Sequence, residues 1–152
     1  AYWQARRDAM RAEALQAAAE LRRYDAVCRV AGEIYAEPHK ALMLDVHGFV
    51  NTTNACNFFI VRKGEVWTST GDYCMNGITR QKVLDLCRAN GIVAREKNFS
   101  LVETYSADEA FLTGTFGAQT PVGKIDGRVI GSGRMGPMTE RIRGLYKALV
   151  GG

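Results

Sequence analysis

A mixed domain of helices and strands, α+β or mixed α/β, is what this sequence predicts, and three observations carry that reading. Segments with apolar residues at helical spacing alternate with short runs of β-branched and aromatic residues. Two dipeptides, Lys63-Gly64 and Asp126-Gly127, stand between strand-like runs and signal hairpins, hence antiparallel pairs. A chain of 152 residues, 47% apolar and 24% charged, is long enough for one compact domain, or one domain with an appendage.

Residues 1–36 read as a helical N-terminal segment, one long helix or two with a bend near Tyr24-Asp25. They are rich in Ala, Arg and Glu, with no proline before Pro38 and no glycine before Gly32. Val27, Val30, Ala31 and Ile34 give the clearer apolar stripe. Residues 37–152 form the second unit, where the texture changes. "ALMLD" predicts a buried strand, and "GFVN" follows it. "NFFIVRKGEVWTS" is a hairpin with Gly64 at positive φ. Thr79 to Ala89 is an amphipathic helix with Val83, Leu84, Leu86 and Cys87 inward, closed by Asn90-Gly91. "IVAREKNF" is strand-like. Ser100 starts a short helix through Tyr105, with Glu103 at the spacing of a capping box. "DEAFLTGT" is a strand. "AQTPVGKIDGRVIG" reads as two strands around Asp126-Gly127. "GPMTERIRGLYKALV" is the closing helix, opened by Pro137 in its first turn.

The net charge of +4 comes without a long basic run, which speaks against nucleic acid as a partner. No apolar run approaches the roughly 18 residues of a membrane span. Cys28, Cys56, Cys74 and Cys87 contain no C-x-x-C pair, and only His39 and His47 could join them, so a zinc site is not expected. Free thiols and the absence of a signal sequence read as a cytoplasmic protein.

The chemistry-bearing stretch is "NGITRQ", where a loop runs into the second-unit helix. Gly77 permits close backbone approach, and Ile78 and Thr79 offer N–H groups at the positive end of that helix. The Thr79 hydroxyl adds a donor, which makes this a natural anion site. The alternative at this point is that Thr79 simply caps its helix. A second small, polar turn lies at Gly114-Thr115-Phe116-Gly117.

These motifs occur in one order: "ALMLD", "NFFIV", "NGITRQ", "SADEAFLTGT", then "TPVGKIDGRVIG" and "GPMTERI". From about residue 41 to 150 the chain closely resembles the cofactor-binding C-terminal half of the class IV (fold type IV) aminotransferases, the branched-chain and D-amino acid enzymes among them. The resemblance implies a pyridoxal 5′-phosphate site and an amino acid or 2-oxo acid substrate, branched-chain amino acids among them. It implies that Gly77, Ile78, Thr79 and Thr115 hold the cofactor phosphate. The Phe116-Gly117 turn would meet the substrate carboxylate, and Tyr24 would stand where some members keep a tyrosine against the cofactor phenolate. A homodimer is also implied.

The chain departs from the family pattern at three places. The family's lysine, which bonds the cofactor covalently, lies upstream of the first strand; here no lysine precedes Lys40, and an ungapped carry-over puts Ala19 near that place. No catalytic residue is therefore assigned. Thr52 stands where many members have a glutamate against the pyridine nitrogen, and Asn57 matches the asparagine closing that motif. The smaller N-terminal domain has no counterpart, which reads as a truncated or altered enzyme with weak activity. A non-catalytic scaffold that self-associates through the N-terminal helices is the alternative. Among other candidates, Asp108-Glu109 would face opposite sides of a strand and read as structural. Asn57, apart from the family, would cap a turn before "FFIV". Phe58, Phe59, Trp67 and Phe111 read as core, and Tyr73 and Cys74 would line the pocket mouth.

Overall fold

The computed structural model describes residues 41–114 and 118–151. The helical reading of residues 1–36 lies outside them. The described elements are β1 (Leu42–Leu44), β2 (Val50–Thr53), β3 (Asn57–Arg62), β4 (Glu65–Thr68), α1 (Ile78–Ala89), β5 (Ala94–Glu96), α2 (Leu101–Tyr105), β6 (Glu109–Gly114), β7 (Ala118–Pro121), β8 (Lys124–Ile125), β9 (Arg128–Val129) and α3 (Pro137–Val150).

Five strands form the central sheet in the order β5-β4-β3-β6-β7; β1-β2 and β8-β9 are separate two-stranded ribbons. The middle strand β3 is apolar and buried along almost its whole length, as a strand covered on both faces must be. Its side chains divide by parity. Phe59 and Val61 join Val83, Leu84, Cys87 and Ile142 under α1 and α3. Phe58 and Ile60 join Leu42, Val50, Phe99 and Ile130 on the other face. Phe59 and Phe111 stack with centroids 5.0 Å apart, so the aromatics expected in the core are there.

Both hairpins form. Lys63 and Gly64 have φ of 53° and 78°, and Asp126 and Gly127 have 53° and 74°. In each turn the residue before the glycine also takes positive φ, as the tightest hairpin turns require. The Ser100 capping box is complete, with Glu103 N–H donating to the Ser100 hydroxyl and the Ser100 N–H to the Glu103 carboxylate. Pro137 opens α3 at its first turn.

The sheet is mixed with flanking helices, as the resemblance implies: β4 and β5 pair in parallel across α1, and the other pairs are antiparallel. Two readings change in detail. Only residues 94–96 of "IVAREKNF" are strand, because the Ile92 N–H is taken by the Cys87 carbonyl in closing α1. "AQTPVGKID" splits in two: β7 completes the central sheet against β6, and β8 turns away into its own ribbon.

The adjacent acids Asp108 and Glu109 are structural, as their alternation predicts. Asp108 Oδ2 accepts from the Lys63 N–H at 2.8 Å and ties the β3–β4 turn. Glu109 accepts from the Met138 and Thr139 N–H groups at 2.9 and 2.8 Å, so a strand carboxylate caps α3. Glu65 binds the Arg95 guanidinium through two 2.8 Å bonds and accepts from Trp67 Nε1. Chiefly the arginine holds its carboxyl down, at about 2. A depressed carboxyl stabilises the fold above its unfolded value and loses that contribution as pH falls through the folded one. Glu65→Gln is therefore expected to flatten the acid limb of a thermal stability profile between about pH 4.5 and 2. An unaltered acid limb would show that the pair adds nothing.

Candidate functional site

α1 begins where the sequence places the anion cup. Its N-cap is Gly77, in extended backbone (φ −65°, ψ 146°), and no side chain caps the helix. Thr79 stands inside the first turn and does not cap it, which removes the simpler reading of that residue. The first intrahelical bond runs from the Gln81 N–H to the Gly77 carbonyl, so Ile78, Thr79 and Arg80 have no helical acceptor for their N–H groups. No acidic residue sits in the first turn to oppose an anion. Thr79 is buried, whereas the Ile78 side chain projects outward.

This helix start opens into a cleft of about 640 Å³ lined by the turn at residues 52–57, the loop at 73–77, Ile78, Thr79, Thr113 and Gly114. Tyr73 and Cys74 are part of that wall, as expected from their place before the cup. No charged side chain lines the cleft among the described residues, and so no lysine does. The donors are backbone N–H groups, hydroxyls and amides, a set suited to a phosphate at the positive end of a helix.

The loop Ser69–Gly77, which carries the cup, is tied to the sheet by side chains on three elements. Asn51 on β2 donates to the Tyr73 carbonyl at 2.6 Å. Asn57 on β3 donates to the Met75 carbonyl at 2.8 Å. Arg80 on α1 donates to the Ser69 carbonyl at 2.7 Å and to Asn76 Oδ1 at 3.0 Å. His47 Nε2 lies 3.2 Å from the Tyr73 hydroxyl at the rim. Asn57 therefore does not cap the turn before β3. Thr53 does, its hydroxyl accepting from the Cys56 N–H. A β-carbon on residue 77 would stand 2.5 Å from Asn57 Oδ1, so glycine is required there by contact and not by φ.

The Thr52 hydroxyl lines the cleft and donates to the Cys56 carbonyl at 3.0 Å. Cys56 and Cys74 line the cleft; Cys87 is buried in the core, and burial pushes its thiol up to about 11. Of the sequence-assigned residues, Gly77, Ile78 and Thr79 come together at the cleft. Tyr24, Thr115, Phe116 and Gly117 lie outside the described residues. Sequence reasoning passed over Arg80 and Asn51. The only signal for Arg80 was its place directly after "GIT", and a charged residue one turn into a helix normally reads as solvated.

Comparison with known proteins agrees with this fold. Residues 2–125 match the family model described as amino-transferase class IV. A branched-chain-amino-acid aminotransferase-like protein 2 of Arabidopsis thaliana is 49% identical over 112 residues, 74% of this chain and 20% of that protein. The branched-chain-amino-acid aminotransferase of Pseudomonas aeruginosa is 43% identical over 113 residues, 74% of this chain and 37% of that protein. A crystal structure of an aminotransferase from Brucella abortus bound to the co-factor PLP superposes with a TM-score of 0.70 at 36% identity, covering 75% of this chain and 40% of that one. The chain belongs to the class IV aminotransferase family. It spans between a fifth and two fifths of the length of these relatives.

Proposed function

We propose that this chain carries the phosphate-binding part of a pyridoxal 5′-phosphate site in a branched-chain-type aminotransferase. The observation that supports this most strongly is the uncapped start of α1 opening into a cleft that no charged side chain lines among the described residues. The Ile78 and Thr79 N–H groups and the Thr79 hydroxyl hold the phosphate, and Gly77 lets it approach the backbone. Thr115 adds a second hydroxyl, the Phe116-Gly117 amides take the substrate carboxylate, and Tyr24 stands against the cofactor phenolate. Bound pyridoxal 5′-phosphate supplies the aldehyde and electron sink for moving an amino group from an amino acid to a 2-oxo acid. Thr52, neutral and engaged with the Cys56 carbonyl, gives the pyridine nitrogen no fixed negative partner, which weakens that sink. Covalent capture of the cofactor is assigned to no described residue, since no described lysine lines the cleft. A two-copy assembly and a cytoplasmic location belong to the same reading.

The test is a titration of the full chain with pyridoxal 5′-phosphate followed by absorbance, then borohydride reduction and mass mapping. A saturable band that inorganic phosphate displaces is expected, with no label on Lys63, Lys82, Lys97, Lys124 or Lys147. Absence of saturable binding would overturn the site. A label on one of those five lysines would overturn the covalent assignment.

A further inference from the structure

Arg80 is among the most deeply buried large side chains in the described residues, 2% exposed, and it is a cation. A buried guanidinium is costly unless its charge and donors are matched. The matching here is incomplete. Among the described residues the carboxylate facing it, on Glu96, stands 3.7 Å away and is 43% exposed, and the Arg80 Nε has no hydrogen-bond partner. What the guanidinium does hold is both ends of one loop: the Ser69 carbonyl where the chain leaves β4, and Asn76 where it reaches α1. Asn76 Oδ1 in turn occupies the space beside Gly71, where a β-carbon would stand 2.5 Å from it, so the middle of the loop folds over the same contact. The loop so clasped supplies Tyr73 to Gly77 to the cleft wall.

We propose that Arg80 is a positioning residue of the phosphate cup. It clasps the Ser69–Gly77 loop from inside the fold, fixes where the Ile78 and Thr79 N–H groups point, and leaves a positive charge that a bound phosphate completes. This rests on the phosphate-cup reading of α1. The arrangement places a fixed cation behind a helix N-terminus whose first turn holds no acid, and both favour an anion at the same spot. Because the residue touches no ligand, its removal acts on phosphate affinity through geometry and field.

The test compares dissociation constants for pyridoxal 5′-phosphate and for pyridoxal, which lacks the phosphate, using the full chain and its Arg80→Gln, Arg80→Lys and Asn76→Ala variants. Far-UV circular dichroism and melting curves establish that each variant folds. Arg80→Gln is expected to weaken pyridoxal 5′-phosphate by about tenfold or more, a loss typical of a misplaced binding group, with pyridoxal unchanged. Arg80→Lys, which keeps the charge and loses the fork, should recover part of that. Asn76→Ala removes an exposed clasp partner and should cost roughly threefold on the phosphate-bearing ligand alone. A folded Arg80→Gln protein with the wild-type ratio of the two constants would overturn the inference. So would an unchanged ratio in Asn76→Ala if the glutamine variant does not fold. A wild-type chain that binds pyridoxal as tightly as its phosphate would instead overturn the cup itself, and the role of Arg80 with it.

Discussion

Glu109→Gln is expected to lower the stability of this domain by about 2 kcal/mol, and Glu109→Ala by about 3 kcal/mol. The reason is the position of the carboxylate. Glu109 begins β6, next to the central strand, and its two oxygens receive the Met138 and Thr139 N–H groups that open α3. It is a helix cap supplied by a different element, and it is 7% exposed. Glutamine has the same shape, but one of its two ends is an NH₂ group that cannot accept. One buried N–H then faces a donor. Alanine orphans both N–H groups and leaves a void. The room for the carboxylate is made by Gly136, where any β-carbon would collide with the Glu109 carboxyl. For a chain of this length each kcal/mol shifts the melting midpoint by roughly 2–4 °C, so a drop of about 5 °C is the readout for the glutamine variant. A midpoint equal to that of the wild type would show that water caps α3 equally well.

The glutamate illustrates what the sequence disclosed and what it withheld. Alternation along "DEAF" shows that Asp108 and Glu109 face opposite sides, which is enough to separate them as a catalytic pair. It does not show that one ties a hairpin turn and the other caps a helix 29 residues on, because both partners are backbone N–H groups without a side-chain signature. The hairpins were legible because Lys63-Gly64 and Asp126-Gly127 demand positive φ, a local requirement. The parallel pairing of β4 with β5 was not, since it depends on α1 packing back across the sheet, and β5 offers only three paired residues. The start of α1 was legible as a helix start with open N–H groups from Gly77, Ile78 and Thr79, and its reading as a phosphate cup came from the family resemblance. The three ties that hold its loop were not legible. Asn51 and Asn57 bond to main-chain carbonyls, and Arg80 is a charged residue in the interior, against the usual distribution of such residues. Local backbone chemistry was readable; long-range side-chain-to-carbonyl bonds were not.

Gly77→Ala should damage ligand binding far more than it damages the fold. The backbone at residue 77 is ordinary extended chain, so alanine meets no conformational strain there. The difficulty is the neighbour. The new methyl would stand 2.5 Å from Asn57 Oδ1, and the amide must swing aside. Its Nδ2 then leaves the Met75 carbonyl, one of the ties that fix the cup, and the Ile78 and Thr79 N–H groups shift with the loop. We expect about a tenfold or greater loss of pyridoxal 5′-phosphate affinity, with roughly 1–2 kcal/mol of stability lost to the crowding. Gly91→Ala supplies the contrast. Gly91 closes the far end of α1 at φ +65° with no atom near its missing β-carbon. Alanine there should cost about 1 kcal/mol of stability through backbone strain and leave the binding constant unchanged. Asn57→Ala breaks the same tie that Gly77→Ala displaces, so the double variant should bind no worse than the weaker single one. Affinity losses that add in the double variant would mean that residues 57 and 77 act on the ligand separately, and that the cup is not held by the Asn57–Met75 bond.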